Sequence, residues 1–392
     1  MDPDAPIDLP ASLRSPTAGG DLLSTYWPTV IALLVAAALV VLLVWRRHRV
    51  RRRGAPRRRL VTGALAAGDV VLLVLAVALG VNTWVGYIPS VAAAQRWVQT
   101  RTGTGGTAEG PGAAGPARDP AAPVEGRVTD AEHGYAYQVT IPSTSDDVPD
   151  SAAWVYLPPD YDAPGAGTRY PVVYALHGAP GTAADWFSGG MLDRTLDELI
   201  STGYMPPVVV VAPDLNAGSA APVDSEPLDI PGGPQLERFV REDVVHWADT
   251  TLRTRPEAGQ RVLAGMSAGG LAALVGALHH PEVFGGVISL MPYAGPYTDQ
   301  VLADPGATAD DTPRVLAGRG PQPSGQPVFL ALGDSESPAA ARAIERALRA
   351  SGRPTTLRIY AGLNHNWVGA RAMMPYGLVW AAGQMGWDDG GS

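Results

Sequence analysis

The sequence predicts an α/β fold in which a mainly parallel central sheet is flanked by helices, preceded by two transmembrane helices. Three observations support this prediction. From Gly126 onward, short β-rich runs alternate with helical stretches, an order typical of a parallel sheet covered on both faces. Continuous apolar runs such as residues 207–212 (PVVVVA) fit strands that are buried on both sides. Near the N-terminus, two long apolar stretches lie close together.

The first predicted strands follow one another without an intervening helix, which indicates an antiparallel start to the sheet. The predicted strands are Tyr135–Ile141, Ala153–Leu157, Val172–Leu176, Val208–Ala212, Arg261–Ala264, Val287–Leu290, Val328–Leu332 and Thr356–Tyr360. The predicted helices of the same domain are about Met191–Ser201, Gln235–Leu252, Leu271–His279, Ala339–Ala350 and Ala370–Met385.

The first apolar stretch, Trp27–Trp45, carries no charge and is long enough to cross about 30 Å of hydrocarbon as a helix. A cleavable signal peptide is the alternative, but the residues before this stretch are acidic rather than basic. The second stretch runs from about Leu60 to Ile88, and the part of it without a charged residue begins at Val70. The preceding residue, Asp69, lies near the cytoplasmic interface, or faces a partner helix if the span begins earlier.

The charge between the two stretches predicts their orientation. Arginines are concentrated between residues 46 and 59, and the positive-inside bias places this loop in the cytoplasm. The chain then divides into an extracytoplasmic N-terminal tail (1–26), a membrane anchor of two transmembrane helices (27–88), a Gly/Ala/Pro-rich linker (89–125) and an α/β domain (126–392). The sequence therefore predicts a multi-pass protein of the cell membrane whose α/β domain is extracytoplasmic.

Composition excludes several classes of protein. The chain has no cysteine, so disulfides, thiolate nucleophiles and cysteine-ligated metals are excluded. The net charge is −9 although the arginines are concentrated in one run, so the rest of the chain is strongly acidic, which argues against nucleic-acid binding. No histidine–carboxylate cluster has metal-ligand spacing, and no phosphate loop or dinucleotide fingerprint is present. We expect neither a metal nor a cofactor.

The strongest functional motif is G-x-S-x-G, at residues 265–269. It follows a short β-branched strand and opens a helix rich in Ala and Leu, which is the setting of a nucleophile elbow. Ser267 would then stand at the C-terminal edge of the sheet, beside a helix N-terminus that favours negative charge. The alternative is a Gly-rich turn without chemistry.

A serine nucleophile requires a base, which is itself held by an acid, and in this type of fold the chain order is Ser, Asp or Glu, His. Of the histidines after Ser267, only His365 lies in a loop directly after a predicted strand. Asp334 comes straight off the preceding strand and is the predicted acid, and Glu336 is the alternative. His279 and His280 end a helix and are expected to cap it.

A tetrahedral intermediate needs two backbone N–H donors. The N–H of Ala268 and that of Ala179, in the loop after the third predicted strand, are the expected pair. His177 in the same loop is interpreted as a loop organiser. Trp186 and Asp214 are predicted substrate-binding residues, with a core position for Trp186 and a solvated loop around Asp214 as the alternatives.

The segment from about Ala153 to Met385 resembles the putative-esterase family of α/β hydrolases, which includes esterase D and the secreted mycolyltransferases. The matching pieces are VYLPPDY, YPVVYALHGAPGTAADW, VVVVAPD, REDVVHWAD, AGMSAGGLAALVGALHHPEVFGG, ALGDSES and the closing His-x-Trp at 365–367. The resemblance implies an α/β-hydrolase fold with Ser267, Asp334 and His365 as its triad. The mycolyltransferases use a glutamate as the acid of their triad, so Glu336 remains the alternative to Asp334. The membrane-anchored arrangement looks like that of actinobacterial esterases with N-terminal helices.

These features predict a membrane-anchored serine esterase that cleaves a carboxylic ester, of a small molecule or an envelope lipid, through an acyl-enzyme and without a cofactor. One alternative is an acyltransferase that passes the acyl group to an envelope sugar or lipid. The other is a catalytically silent anchored scaffold or binding module. The sequence indicates no oligomeric state and no nucleic-acid partner.

Overall fold

A computed structural model of the chain describes residues 2–14, 22–50, 56–88, 91, 94, 129–163, 167–218, 226–319 and 325–387. The predicted linker 89–125 lies outside the described residues except for 91 and 94, and so do arginines 51–53 of the predicted cytoplasmic loop.

Eight strands form one sheet in the order β1-β2-β4-β3-β5-β6-β7-β8. The strands are β1 (Tyr135–Ile141), β2 (Ser151–Leu157), β3 (Val172–Leu176), β4 (Val209–Pro213), β5 (Arg261–Met266), β6 (Gly286–Leu290), β7 (Val328–Gly333) and β8 (Thr355–Tyr360). β2 is antiparallel to both of its neighbours, and the pairs from β4 to β8 are parallel. The predicted fold class, including the antiparallel start, is confirmed.

Twelve helices are seen in the described residues. They are α1 (Trp27–Val50), α2 (Pro56–Val85), α3 (Asp185–Ser188), α4 (Leu192–Ser201), α5 (Leu236–Arg238), α6 (Val245–Thr251), α7 (Ala268–His279), α8 (Asp299–Leu302), α9 (Pro305–Asp310), α10 (Pro313–Leu316), α11 (Pro338–Ala350) and α12 (Trp367–Met385). A π-helical turn, Phe239–Val244, joins α5 to α6, so the single predicted helix there contains a change of pitch. The sequence did not predict the short helices α3 and α8 to α10. Each spans fewer than two helical turns, so its apolar residues cannot show a helical periodicity.

The two faces of the sheet are covered by separate hydrophobic clusters. One packs β-strand side chains against α7, α11 and the run from α5 to α6, and the other packs them against α4 and α12. Strands β3 to β7 are buried along their whole length, as their continuous apolar sequences predict. The carboxyl ends of the parallel strands therefore meet at one edge, where loops can bring functional side chains together.

The helices α1 and α2 pack together as an antiparallel hairpin, and the Thr83 hydroxyl donates to the carbonyl of Thr25 at 3.1 Å. Both contain a mostly exposed apolar span, Trp27–Arg46 and Val61–Val85, with mean hydropathies of 2.7 and 2.5. By length and composition, both can cross a membrane. The second span begins at Val61, close to the start of the predicted stretch at Leu60, so Asp69 lies inside the hairpin and is buried, in agreement with the second of its two expected placements.

The N-terminal tail contacts the α/β domain. Leu9 is 1% exposed, and the indole N–H of Trp380 donates to the carbonyl of Pro3 at 3.0 Å. Arg349 forms an ion pair with Asp4 at 2.6 Å, in which both side chains are exposed. Burial of one leucine contributes about 1.5–3 kcal/mol, whereas an exposed ion pair contributes about 0.2–1 kcal/mol. The apolar contact is therefore the stronger attachment of the tail.

Candidate active site

Ser267 lies in a tight turn between β5 and α7, with φ 60° and ψ −121°. Such a backbone conformation costs a residue with a side chain about 1–3 kcal/mol, so it persists only where the surroundings hold it. The neighbouring glycines make the turn possible, because a Cβ on Gly265 would lie 2.0 Å from the carbonyl oxygen of Gly269. A Cβ on Gly269 would lie 2.3 Å from the carbonyl oxygen of Leu176. The geometry is that of the predicted nucleophile elbow.

His365 lies in the loop between β8 and α12, as predicted, and its Nδ1 lies 2.9 Å from Oε2 of Glu336. Both side chains are half-buried, at 33% and 22% exposure. Glu336 is held in turn at the end of β7, where its N–H donates to the carbonyl of Gly333 at 3.2 Å and its Oε1 accepts from the N–H of Gly333 at 3.3 Å. A carboxylate on Nδ1 fixes the tautomer in which Nε2 is free to act as a base.

The predicted acid, Asp334, is not the residue that the structure places beside His365. Asp334 is exposed, and its Oδ1 accepts from the N–H of Gly362 at 2.9 Å. Its carboxylate therefore links the end of β7 to the turn after β8. The carboxylate that contacts the imidazole is that of Glu336. The structure thus brings the alternative, Glu336, and not the predicted Asp334, to His365, because the turn after β7 directs the second carboxylate toward the imidazole.

Tyr293, which follows β6, was not predicted to be part of the site. The Ser267 hydroxyl donates to the phenol oxygen of Tyr293 at 3.1 Å, and the Tyr293 ring stacks on the His365 ring at 6.1 Å between centroids. The Tyr293 side chain thus interacts with both Ser267 and His365. The fold places it there, because β6 pairs with the elbow strand and its carboxyl end lies at the same edge of the sheet.

The loop after β3 passes directly over the serine, where a Cβ on Gly178 would lie 3.1 Å from the Cβ of Ser267. Buried His177 holds this loop, because its Nδ1 lies 2.8 Å from the carbonyl of Gly178 and its Nε2 accepts from the N–H of Leu215 at 2.9 Å. This is the loop-organising role that the sequence indicates. Ala179 follows in the loop and lines the cavity.

Ala268, the other predicted oxyanion donor, is the first residue of α7. The first N–H groups of a helix have no acceptor within it, and the helix dipole favours negative charge there.

The two predicted substrate-binding residues lie elsewhere. Trp186 is 1% exposed and packs edge-to-face on Trp367 at 5.3 Å, so it belongs to the core. Oδ1 of Asp214 accepts from the N–H and the side-chain amide of Asn216, at 3.1 and 2.9 Å, and orders the loop after β4. Neither residue lines the cavity at Ser267, and both predictions are corrected.

A cavity of about 750 Å³ opens at Ser267. It is lined by residues of the loops around the sheet edge and by the end of α2: Trp84, Val85, Gly178, Ala179, Pro180, Asp185, Met266, Ser267, Ser335, Glu336, Asn364, His365, Asn366 and Trp367. A volume of this size can hold a small-molecule ligand. The contribution of α2 was not predicted, since the sequence places a linker between it and the α/β domain.

A second group of titratable side chains lies at the other end of α7, about 18 Å along the helix from Ser267. Nδ1 of His279 and Nε2 of His280 lie 2.8 and 3.1 Å from Oε1 of Glu237. Burial opposes ionisation of Glu237, but the hydrogen bonds from both histidines outweigh it and lower its pKa to about 2. These three residues could offer ligands to one cation, which the sequence did not indicate. In the structure, the two histidines already balance the charge of the buried Glu237 carboxylate.

The sequence model of the family described as putative esterase matches residues 150–369, more than half of the chain, from the start of β2 to the first turn of α12. The chain belongs to the putative-esterase family. Curated relatives include an endo-1,4-beta-xylanase/feruloyl esterase of Xylanibacter ruminicola, 27% identical over 61% of this chain and 30% of its own length. An esterase of Mycobacterium tuberculosis is 33% identical over 36% of this chain and 28% of its own length. The chain thus spans about a third of the length of these curated relatives.

Solved structures of other esterases share the fold of this family member. A ferulic acid esterase superposes with a TM-score of 0.55 at 19% identity, covering 64% of this chain and 99% of its own. An S-formylglutathione hydrolase from Agrobacterium tumefaciens superposes with a TM-score of 0.54 at 21% identity, covering 66% and 98%. The shared fold is that of the α/β hydrolases, and it corresponds to the region after the two apolar helices.

Proposed function

We propose that the protein is a membrane-anchored serine esterase that cleaves carboxylic esters through an acyl-enzyme. The observation that carries this proposal is the lining of one cavity by Ser267 on a strained elbow and by His365 hydrogen-bonded to Glu336. Membership of the putative-esterase family supports the same chemistry. The alternative hypothesis of a catalytically silent scaffold does not explain why a strained serine and an oriented histidine line one cavity.

In the proposed reaction, the Ser267 hydroxyl exchanges its contact with Tyr293 for Nε2 of His365, which accepts its proton as Oγ attacks the ester carbonyl. The N–H groups of Ala268 and Ala179 stabilise the oxyanion. The protonated imidazole, stabilised by Glu336, then donates to the leaving alcohol. A water molecule, activated by the same imidazole, releases the acid.

The hairpin of α1 and α2 supports the membrane part of the proposal. Its two apolar spans are almost entirely exposed, which is unfavourable in water and favourable in lipid. The α/β domain lies where α2 ends, since Asn366 donates to the carbonyl of Trp84. The tail, which precedes α1, contacts the same domain through Leu9 and Asp4, so both lie at this end of the hairpin. With the Arg-rich loop in the cytoplasm, both are extracytoplasmic.

The chemistry is tested with a fluorophosphonate probe and with p-nitrophenyl esters, using the full-length protein in detergent micelles. We expect the probe to label the chain covalently and p-nitrophenol to appear in an initial burst when deacylation is slow. Analysis of the acyl product, with and without an added sugar acceptor, separates an esterase from an acyltransferase. Transfer of the acyl group to the sugar in preference to water would replace the esterase assignment, and failure to label would contradict the serine mechanism.

The topology is tested by single-cysteine labelling, for which the cysteine-free chain provides a blank background. We expect Ser201→Cys, at an exposed position of the α/β domain, to react with a membrane-impermeant maleimide on intact cells. Arg46→Cys, at the opposite end of the first apolar span, should react only after permeabilisation. The reverse pattern would place the α/β domain in the cytoplasm.

A further inference from the structure

The end of α2 forms one wall of the catalytic cavity. Trp84 and Val85 line the cavity together with Ser267 and His365. The approach is close, since a Cβ on Gly86, where φ is +72°, would lie 2.4 Å from Cγ2 of Val368. The apolar hairpin and the catalytic residues thus meet directly.

Two hydrogen bonds hold this wall in place, one to the residue before α12 and one to the first residue of α3. The side-chain amide of Asn366, the residue after the proposed base, donates to the carbonyl of Trp84 at 2.8 Å. The Asn366 side chain also caps α12 by accepting from the N–H of Gly369 at 3.0 Å.

In the second bond, the Tyr87 hydroxyl donates to Oδ1 of buried Asp185 at 2.7 Å. Asp185 in turn accepts from the N–H and hydroxyl of Thr182, both at 2.9 Å, beyond the predicted oxyanion loop. The end of α2 is therefore hydrogen-bonded to the loop that carries His365 and, through Asp185, to the segment that follows Ala179.

An exposed apolar stripe continues from this wall along α2. Val74, Val77, Val81 and Trp84 are spaced by three or four residues, so they lie on one face of the helix. Their exposed fractions are 63%, 66%, 55% and 72%. The stripe runs from the cavity toward the middle of the apolar span Val61–Val85.

We propose that the end of α2 is the acyl-binding wall of the active site, and that the substrate is an ester of a long-chain fatty acid whose chain reaches Ser267 along this stripe from the membrane. The inference rests on the proposed esterase function. An acyl chain drawn from lipid into water would lose about fourfold in affinity for each exposed methylene. A wall continuous with the membrane-spanning helix keeps the chain in apolar surroundings while its carbonyl reaches the serine. Trp84 is then a specificity-determining residue.

The test compares Trp84→Ala with Trp27→Ala in full-length protein reconstituted into phosphatidylcholine vesicles. Trp27 is a matched control, because it is 70% exposed at the same end of the hairpin but does not line the cavity. The substrates are p-nitrophenyl acetate and p-nitrophenyl dodecanoate. We expect Trp84→Ala to lower kcat/KM for the dodecanoate, mainly through KM, by about tenfold or more relative to kcat/KM for the acetate. Trp27→Ala should match the wild type on both esters, and Trp84→Phe should recover most of the dodecanoate activity.

An unchanged preference between the two esters in Trp84→Ala would overturn the proposal, and so would an equal loss on both, since that would indicate a purely structural role. A loss of dodecanoate activity in Trp27→Ala as large as that in Trp84→Ala would also overturn it, by assigning the effect to interfacial anchoring. Failure of the proposed function is separate from these outcomes: in that case the wild type would hydrolyse neither ester.

Discussion

Ser267→Ala is expected to abolish fluorophosphonate labelling and to lower the turnover of p-nitrophenyl esters by about 10⁴-fold or more. The substitution removes the only atom that forms the acyl-enzyme in the proposed mechanism. It leaves the apolar packing of the elbow in place, because the side chain is small and its hydroxyl, among the residues that the structure describes, donates one hydrogen bond, to the partly buried Tyr293. The measurement is kcat for p-nitrophenyl acetate, with thermal unfolding of the purified variant as the test of folding.

The matched control for this substitution is Ser201→Ala, which removes an exposed hydroxyl at the end of α4, away from the cavity. It should retain wild-type labelling and turnover. A folded Ser267→Ala protein that still hydrolyses esters at a near-normal rate would disprove the assignment of the nucleophile. The activity would then have to come from another group.

Glu336→Gln is expected to lower kcat by about 10³–10⁴-fold, whereas Asp334→Asn should lower it by less than about threefold. Glutamine keeps the size of the side chain but neither stabilises the imidazolium nor fixes the required tautomer of His365, whose Nδ1 lies 2.9 Å from Glu336. Asp334 contacts the N–H of Gly362 and not the imidazole, so its loss should cost about 1 kcal/mol of stability and little activity. The measurement is kcat as a function of pH for both variants.

Glu336→Asp provides a second control, because it keeps the charge and shortens the reach to His365. We expect an intermediate activity, above that of Glu336→Gln. A larger loss in Asp334→Asn than in Glu336→Gln would reverse the assignment of the acid and restore the residue that the chain order favours.

The sequence was informative where the determinants are local. The eight strands follow from short β-branched runs, and the elbow follows from glycines at positions where the structure leaves no room for a Cβ. The place of His365 was also predictable, since it is the one histidine after Ser267 that directly follows a strand.

The acid could not be decided in the same way. Asp334 and Glu336 lie two residues apart in one loop, and chain order admits both. The choice depends on the turn after Gly333, which directs the longer side chain to the imidazole.

Long-range contacts account for the remaining errors and omissions. Trp186 follows the oxyanion loop in sequence, but its partner in the core, Trp367, is far away along the chain. Trp84 is separated from the α/β domain by a Gly/Ala/Pro-rich segment, so no local pattern could place it beside Ser267.

The docking of the N-terminal tail has a kinetic consequence. Leu9 and Pro3 attach the tail to the α/β domain, and the end of α2 attaches at the cavity, so the domain is held at two places in addition to its covalent connection. In the proposed membrane placement, an enzyme fixed in this way would encounter a lipid substrate by lateral diffusion in two dimensions. Its rate should therefore follow the mole fraction of the ester in the surface, and diluting that ester with inert phospholipid should slow the reaction even when its bulk concentration is constant.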